Sequence, residues 1–429
     1  MIWLAGATLC LLPFIVLRYV SPFNFRTGPV FWAACTGIFA HQVFSLLNYL
    51  AGPFFFTALD PYYLNKLATT IAGFPDAIAW SVGSEFYVKW LATFYHIFGP
   101  DILIHDTGPL LRAASGDHAV FSFGPHLILG QSLTVLAFSF NIIVLLWFFD
   151  WLDVGNSAWA VFGVLVWTLL PAELIYGSVT AREVFMALAV MLATASFWWL
   201  FQNNRLWLFW LGTFWLCVMG LFHQIMLVYA IVAIIIIGLF WLFQSNQLQP
   251  RTKLMLVAMV GIAGLLMLAG LLYLPVPQGE YYVDMLKGSW VDAIRAYRGW
   301  VNDSAPNTQY LIEGEFSGWL SSVGGLILSY AFYLLGPFHG DVGSVSTWVL
   351  LLQALIRWLG IPLMILLCLH DKKYVLLALV YFSLSFTWSI GTTNHGQAFR
   401  HHVMTDWILI LTTVVYVTRF ARFKPARVE

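Results

Sequence analysis

Charge is what this sequence has least of. Asp, Glu, Lys and Arg together make up 9% of its 429 residues, where a soluble domain carries about a quarter. So few charges cannot clothe a water-facing surface of this size. The two signs are also equal, 20 of each, and no basic run precedes the C-terminal tail. That balance argues against a nucleic-acid surface. Cysteine is scarce too. Cys10, Cys35, Cys217 and Cys368 each sit in an apolar run, without metal or redox spacing. They read as small buried hydrophobes and not as a disulfide framework. The first 20 residues lack a basic n-region and an A-x-A cleavage site, so they read as a retained first span and not a leader. No fixed period marks a repeat protein.

What is present is apolar: 61% hydrophobic residues, 17% aromatic and a mean hydropathy of +0.82. A helix needs about 20 apolar residues to cross the hydrocarbon layer. Candidate spans lie near 1–20, 29–57, 125–149, 156–176, 183–201, 206–222, 224–243, 254–275, 350–369, 373–391 and 403–419. The expected fold is therefore all-α, a single integral-membrane bundle over 1–429 of about eleven spans, with amphipathic interfacial helices in its outer loops. The run at 320–337 is short and ends in Gly336-Pro337. It reads as interfacial or re-entrant.

Basic residues orient the bundle. With Arg419, Arg422, Lys424 and Arg427 in the cytoplasm, His370 to Lys373 fall inside, as do Arg251, Lys253, Arg205, Arg18 and Arg26. This holds only if 320–337 does not cross. The N-terminus is then outside and the C-terminus cytoplasmic. Two long segments, about 58–124 and 276–345, lie outside, with short outer turns at 171–182, around His223, and at 392–402. Most non-basic polar chemistry thus gathers on one face, as in an enzyme working there. A channel more often carries its polar residues at mid-membrane.

Five groups of residues on that face could carry chemistry. In LDPYYLNKLA (Leu59 to Ala68), Asp60 precedes Pro61 beside Tyr62 and Tyr63. Asp60 is either a helix N-cap or a base or metal ligand facing a lipid-borne substrate. From Ile78 to Pro100, Phe86, Trp90, Phe94 and Ile97 recur at helical spacing, as in a helix lying on the membrane. Glu85 and Lys89, one turn apart on it, can pair. In LLPAELIYGSVTAREVF (Leu169 to Phe185), Glu173, Arg182 and Glu183 sit at membrane depth or at its edge. Such residues are costly and often functional, although a local Arg182–carboxylate pair would also lock the turn. In TTNHGQAFRHHVMTDW (Thr392 to Trp407), His395, Arg400, His401 and His402 crowd the mouth of the last span. The fork of Arg400 suits a phosphate oxyanion, the histidine spacing matches no zinc signature, and Asp406 is placed to orient His402. From Gly279 to Asp303, Asp284, Lys287, Asp292, Arg295 and Arg298 alternate in sign as on a solvated helix face. His223, alone between two apolar spans, reads as a satisfied structural residue. Finally, Phe98-Gly99-Pro100 recurs as Phe123-Gly124-Pro125, as if an insertion split one continuous segment.

Together these features resemble the GT-C superfamily of polytopic, polyprenyl-phosphate-sugar-dependent glycosyltransferases. The resemblance rests on Asp60 in the first large outer loop and the amphipathic segment Ile78 to Pro100 after it. It also rests on the Pro–apolar–Ser–acidic pattern of LLPAELIYGSVTAREVF and on Arg400 at the outer end of a late span. It covers roughly residues 50–240. The acidic dipeptide common in that superfamily is replaced by Asp60-Pro61, and one extra span precedes the loop. The resemblance implies transfer of a sugar from a polyprenyl-phosphate carrier at the periplasmic face of a bacterial inner (plasma) membrane. Asp60 would be the base, or would help to bind a divalent metal ion, with Glu85 a second carboxylate. Arg182, Arg400 and His401 would meet the lipid phosphate. The implied partners are membrane lipids and the lipid-linked donor. Two other classes stay open. One is a polysaccharide polymerase or ligase acting on lipid-linked repeat units, which would lean on Arg295, Arg298, Arg400 and His401. The other is a transporter.

Overall fold

The computed structural model describes residues 2–51, 60–72, 83–98, 110–112, 120–122, 125–244, 261, 319–338, 345–392 and 395–420. The expected span 254–275 and the charged segment 279–303, with Arg295 and Arg298, fall outside them. The described chain is helical apart from one short antiparallel ribbon. In order it forms α1 (Ile2–Val20), α2 (Pro29–Ala51), α3 (Asp60–Ala72), α4 (Ser84–Phe98), the strands β1 (Leu110–Arg112) and β2 (Val120–Ser122), α5 (Pro125–Trp151), α6 (Ala158–Leu169) and α7 (Pro171–Tyr176). It continues as α8 (Glu183–Asn203), α9 (Leu206–Phe222), α10 (Gln224–Gln244), α11 (Trp319–Leu335), α12 (Val345–His370), α13 (Val375–Gly391), α14 (His395–His402) and α15 (Asp406–Phe420). All four cysteines are free thiols.

Five helices among the described residues are long and apolar enough to cross a membrane: Pro29–Leu50, His126–Trp151, Glu183–Asn203, Trp348–His370 and Lys372–Gly391. A sixth is added if α14 and α15, bent by 58°, form one broken span. This is compatible with an integral membrane protein. The expected eleven is a larger number, and the expected span 254–275 lies outside the described residues. The described apolar stretches of α1, α6, α9, α10 and α11 are 10–17 residues long. The expected span 156–176 is two helices, because Pro171 drives Leu170 out of the helical region (φ −55°, ψ 136°) and ends α6 there.

Local sequence sets several boundaries. Ser157 caps α6 by accepting the amide of Ala160. Asn204, left-handed at φ 52°, ends α8 by returning its amide to Leu200 O. Asp371 caps the short turn before α13. α4 ends at Phe98 and α5 begins at Pro125, so the β ribbon occupies the insertion that the repeated Phe-Gly-Pro marks.

α5 and α8 are the most buried of the long helices, whereas α2, α12 and α13 keep an apolar side uncovered. Trp32, Phe39, Leu359, Leu369 and Leu379 stand exposed there, as expected of faces that meet hydrocarbon. Small residues let helices approach closely. A β-carbon on Gly37 would come within 2.5 Å of Thr168, and one on Gly163 within 2.4 Å of Val414, which locks α2 and α15 onto α6.

The two ends of the bundle differ in chemistry. At one end, Asn24 donates to Asp150 (3.1 Å) and Asn156 to the Asn24 carbonyl (2.6 Å). Trp151 packs on Trp199, Trp198 on Tyr374, and Trp241 donates to Asn204 (2.7 Å). Lys373 and Arg419 both approach Asp371, at 3.0 and 3.7 Å, and Arg18 donates to the Arg26 carbonyl. Among the described residues, the basic loops around Arg18 and Arg26, Asn204 and Arg205, and Asp371 to Lys373 therefore share one end with Arg419. Of the loops assigned to the other side, 171–182, the His223 junction and the described part of 392–402 share the opposite end, around Arg182 and Arg400.

Candidate functional site

The opposite end is built by the start of α4, the α7–α8 turn, the α9–α10 junction, the end of α13 and α14. Glu183, the first residue of α8, is fully buried. Its carboxylate accepts from Arg400 Nε at 2.5 Å and stands 3.8 Å from Arg182 Nε. Arg182 reaches further: its guanidinium donates to Ser84 Oγ at 2.5 Å and to the Phe222 carbonyl at 3.2 Å. It thus stitches α4 and the C-terminus of α9 to α8. The local Arg182–carboxylate pair open on sequence grounds forms at 3.8 Å, and Arg182 also bridges distant segments, while Arg400 stands closer to Glu183. Tyr176 lies under the Arg400 guanidinium at 5.8 Å. Both arginine side chains remain 12% exposed, so a ligand can reach them.

Aromatic rings wall this cluster. His401 stacks on Trp388 with centroids 3.6 Å apart and planes 12° apart. His223 meets Trp388 edge-on at 4.6 Å and lies 6.5 Å from His401. Burial, then the charges of Arg182, His401 and Arg400, hold the His223 imidazole well below its ordinary pKa, in the neutral form.

A second polar network lies deeper. Asp406 accepts from Gln353 Nε2 (2.7 Å), and Gln353 Oε1 accepts the amide of Ala172 (3.0 Å). Glu173, fully buried, accepts from Trp167 Nε1 at 3.1 Å. Arg357, near the middle of α12, donates to the Leu334 and Gly336 carbonyls at 2.9 and 2.7 Å. The C-terminus of α11 therefore ends against the middle of α12. Asp406 does not orient His402 as expected: it bonds Gln353, while His402 Nε2 bonds the Tyr333 carbonyl at 2.9 Å.

Of the residues singled out from sequence, Arg182, Glu183, Arg400 and His401 come together. Glu173 belongs to the deeper network. His395 packs against Gly336. Glu85 follows Ser84 on α4, half-buried. The buried face of α4 is Tyr87, Val88, Leu91, Ala92 and Tyr95. Beside it, the stripe of Phe86, Trp90 and Phe94 is half-buried, and Ile97 is exposed. α3 begins at Asp60, but the side chains of Asp60, Tyr62 and Tyr63 lie outside the described residues. The helix itself is tied to this end of the bundle. Asn65 accepts from Tyr95 OH at 2.6 Å, and that hydroxyl abuts Gly130 beside Thr180, two residues before Arg182.

Among the described residues no three His, Cys, Asp or Glu side chains converge as metal ligands. No protein-family model matches the chain, and no curated protein matches it.

Sequence reasoning missed Trp388, Ser84 and Arg357, and it took His223 for a satisfied structural residue, whereas its Nδ1 has no hydrogen-bond partner among the described residues. Arg357 carried a usable signal, a lone cation inside an apolar run. Trp388 carried none, being one aromatic among many in α13.

Proposed function

We propose that this chain is an integral-membrane glycosyltransferase of the GT-C kind, of about eleven spans with its C-terminus cytoplasmic. In this reading it moves a sugar from a polyprenyl-phosphate carrier to an acceptor at the outer face of the inner membrane. The observation that carries the reading is the meeting of Arg182 and Arg400 on one buried carboxylate at the end of the bundle away from the basic loops.

The chemistry follows from charge. A polyprenyl phosphoryl sugar is a phosphodiester with one negative charge, which guanidinium groups are suited to meet. The acceptor oxygen attacks the anomeric carbon, the bond from that carbon to the phosphate oxygen breaks, and the carrier leaves as a monoester with a second negative charge. Donors aimed at that developing charge stabilise the transition state more than the ground state. Arg400, whose Nε is anchored on Glu183, is such a donor, and Arg182 is the second. The acceptor's proton passes to Asp60.

The test is Asp60→Asn, assayed for transfer from undecaprenyl phosphoryl sugars. Loss of the general base predicts a fall of about 10²–10⁴-fold in the rate of transfer, with binding of the lipid donor little changed. Transfer at the wild-type rate would remove Asp60 as base, and a loss seen only with Arg295 or His401 variants would favour the polymerase.

A further inference from the structure

Several buried polar atoms around the two arginines have no hydrogen-bond partner among the described residues: Glu183 Oε2, His223 Nδ1, Trp388 Nε1 and His401 Nδ1. Glu183 is fully buried and Trp388 is 4% exposed, so the unmet bonding capacity is costly unless something fills it. The atoms are not scattered. Trp388, His401 and His223 form one wall, with centroids 3.6, 4.6 and 6.5 Å apart. Glu183 is fixed beside them by Arg400, the residue that precedes His401.

The set has a definite chemical character. The indole supplies a donor only, the carboxylate oxygen an acceptor only, and each imidazole nitrogen either role according to tautomer. A phosphate presents acceptors only and could satisfy the indole but not Glu183. A polyol satisfies both, since each hydroxyl donates and accepts. Flat aromatic walls beside such groups also suit the C–H faces of a sugar ring.

We propose that Trp388, His223, His401 and Glu183 form the subsite for the sugar itself, next to the arginines that take the phosphate. The inference rests on the glycosyltransferase reading and deepens it by assigning sugar and phosphate to separate residues.

Binding to purified wild-type protein would be measured for undecaprenyl phosphate and for a panel of undecaprenyl phosphoryl hexoses and pentoses. At least one sugar-bearing lipid should bind about tenfold more tightly than the bare phosphate, the worth of one or two buried hydrogen bonds. In Trp388→Phe, which keeps an aromatic ring and removes the N–H, that margin should shrink severalfold while the bare phosphate binds as before. Unchanged binding of the bare phosphate also reports that the variant is folded. No sugar margin in the wild type, or one that survives in both Trp388→Phe and His223→Phe, would overturn the subsite and leave the phosphate site standing. Failure of the wild type to bind either kind of lipid would remove the glycosyltransferase reading itself.

Discussion

Arg400→Gln should lower sugar transfer by about 10²–10³-fold, the usual consequence of deleting one donor aimed at a developing oxyanion. Arg400 differs from a surface arginine in what holds it. Its Nε is taken by the buried Glu183 at 2.5 Å, and its plane lies over Tyr176 at 5.8 Å. The fork is thus oriented before any ligand arrives, and its planar donor geometry suits a phosphate. Arg400→Lys keeps the charge as a point and loses the fork, so it should fall between wild type and Arg400→Gln. Glu183→Gln should act through Arg400 by releasing its anchor. The double variant Arg400→Gln/Glu183→Gln should therefore be hardly worse than Arg400→Gln alone, since residues in direct contact are not additive. Steady-state transfer rates on the four proteins check this, and independent multiplicative losses would contradict it.

Arg357→Met should be the most destabilising single change in the deeper network, by about 3–5 kcal/mol, as when one member of a buried charged set is removed. The side chain is 3% exposed and closes the C-terminus of α11 by donating to the Leu334 and Gly336 carbonyls. It also lies within electrostatic reach of Asp406. Methionine fills the space but leaves two carbonyls and a carboxylate without their cation. Unfolding in a fixed detergent should show a lowered midpoint, and hydrogen exchange should rise first in α11. An unchanged midpoint would mean that α11 is held by packing alone.

The readable and unreadable parts of this protein divide along physical lines. Charge placement was legible because so few charges exist. Each basic loop had to be somewhere, and Asn24–Asp150, Trp198–Tyr374 and Arg419–Asp371 bring those loops to one end. Arg182, Glu183 and Arg400 could be picked out for the same reason, since an ionisable residue in an apolar chain is conspicuous. Their pairing was not legible, because Arg400 reaches back to a carboxylate 217 residues earlier and no local spacing encodes that contact. The break at Leu170 was available in Pro171 but was outweighed by the continuous apolar run around it. Which side of α4 meets the bundle was not legible, because aromatic residues occupy two neighbouring stripes and periodicity alone does not rank them. The meeting of Trp388 with His223 became visible only once three helix ends had been brought together.

The most direct test is a structure of the protein determined with an undecaprenyl phosphoryl sugar bound. The phosphate oxygens should lie within hydrogen-bonding distance, roughly 2.7–3.2 Å, of guanidinium nitrogens of both Arg182 and Arg400. A phosphate found at the other end of the bundle, beside Arg18, Arg26 or Arg205, would contradict the account.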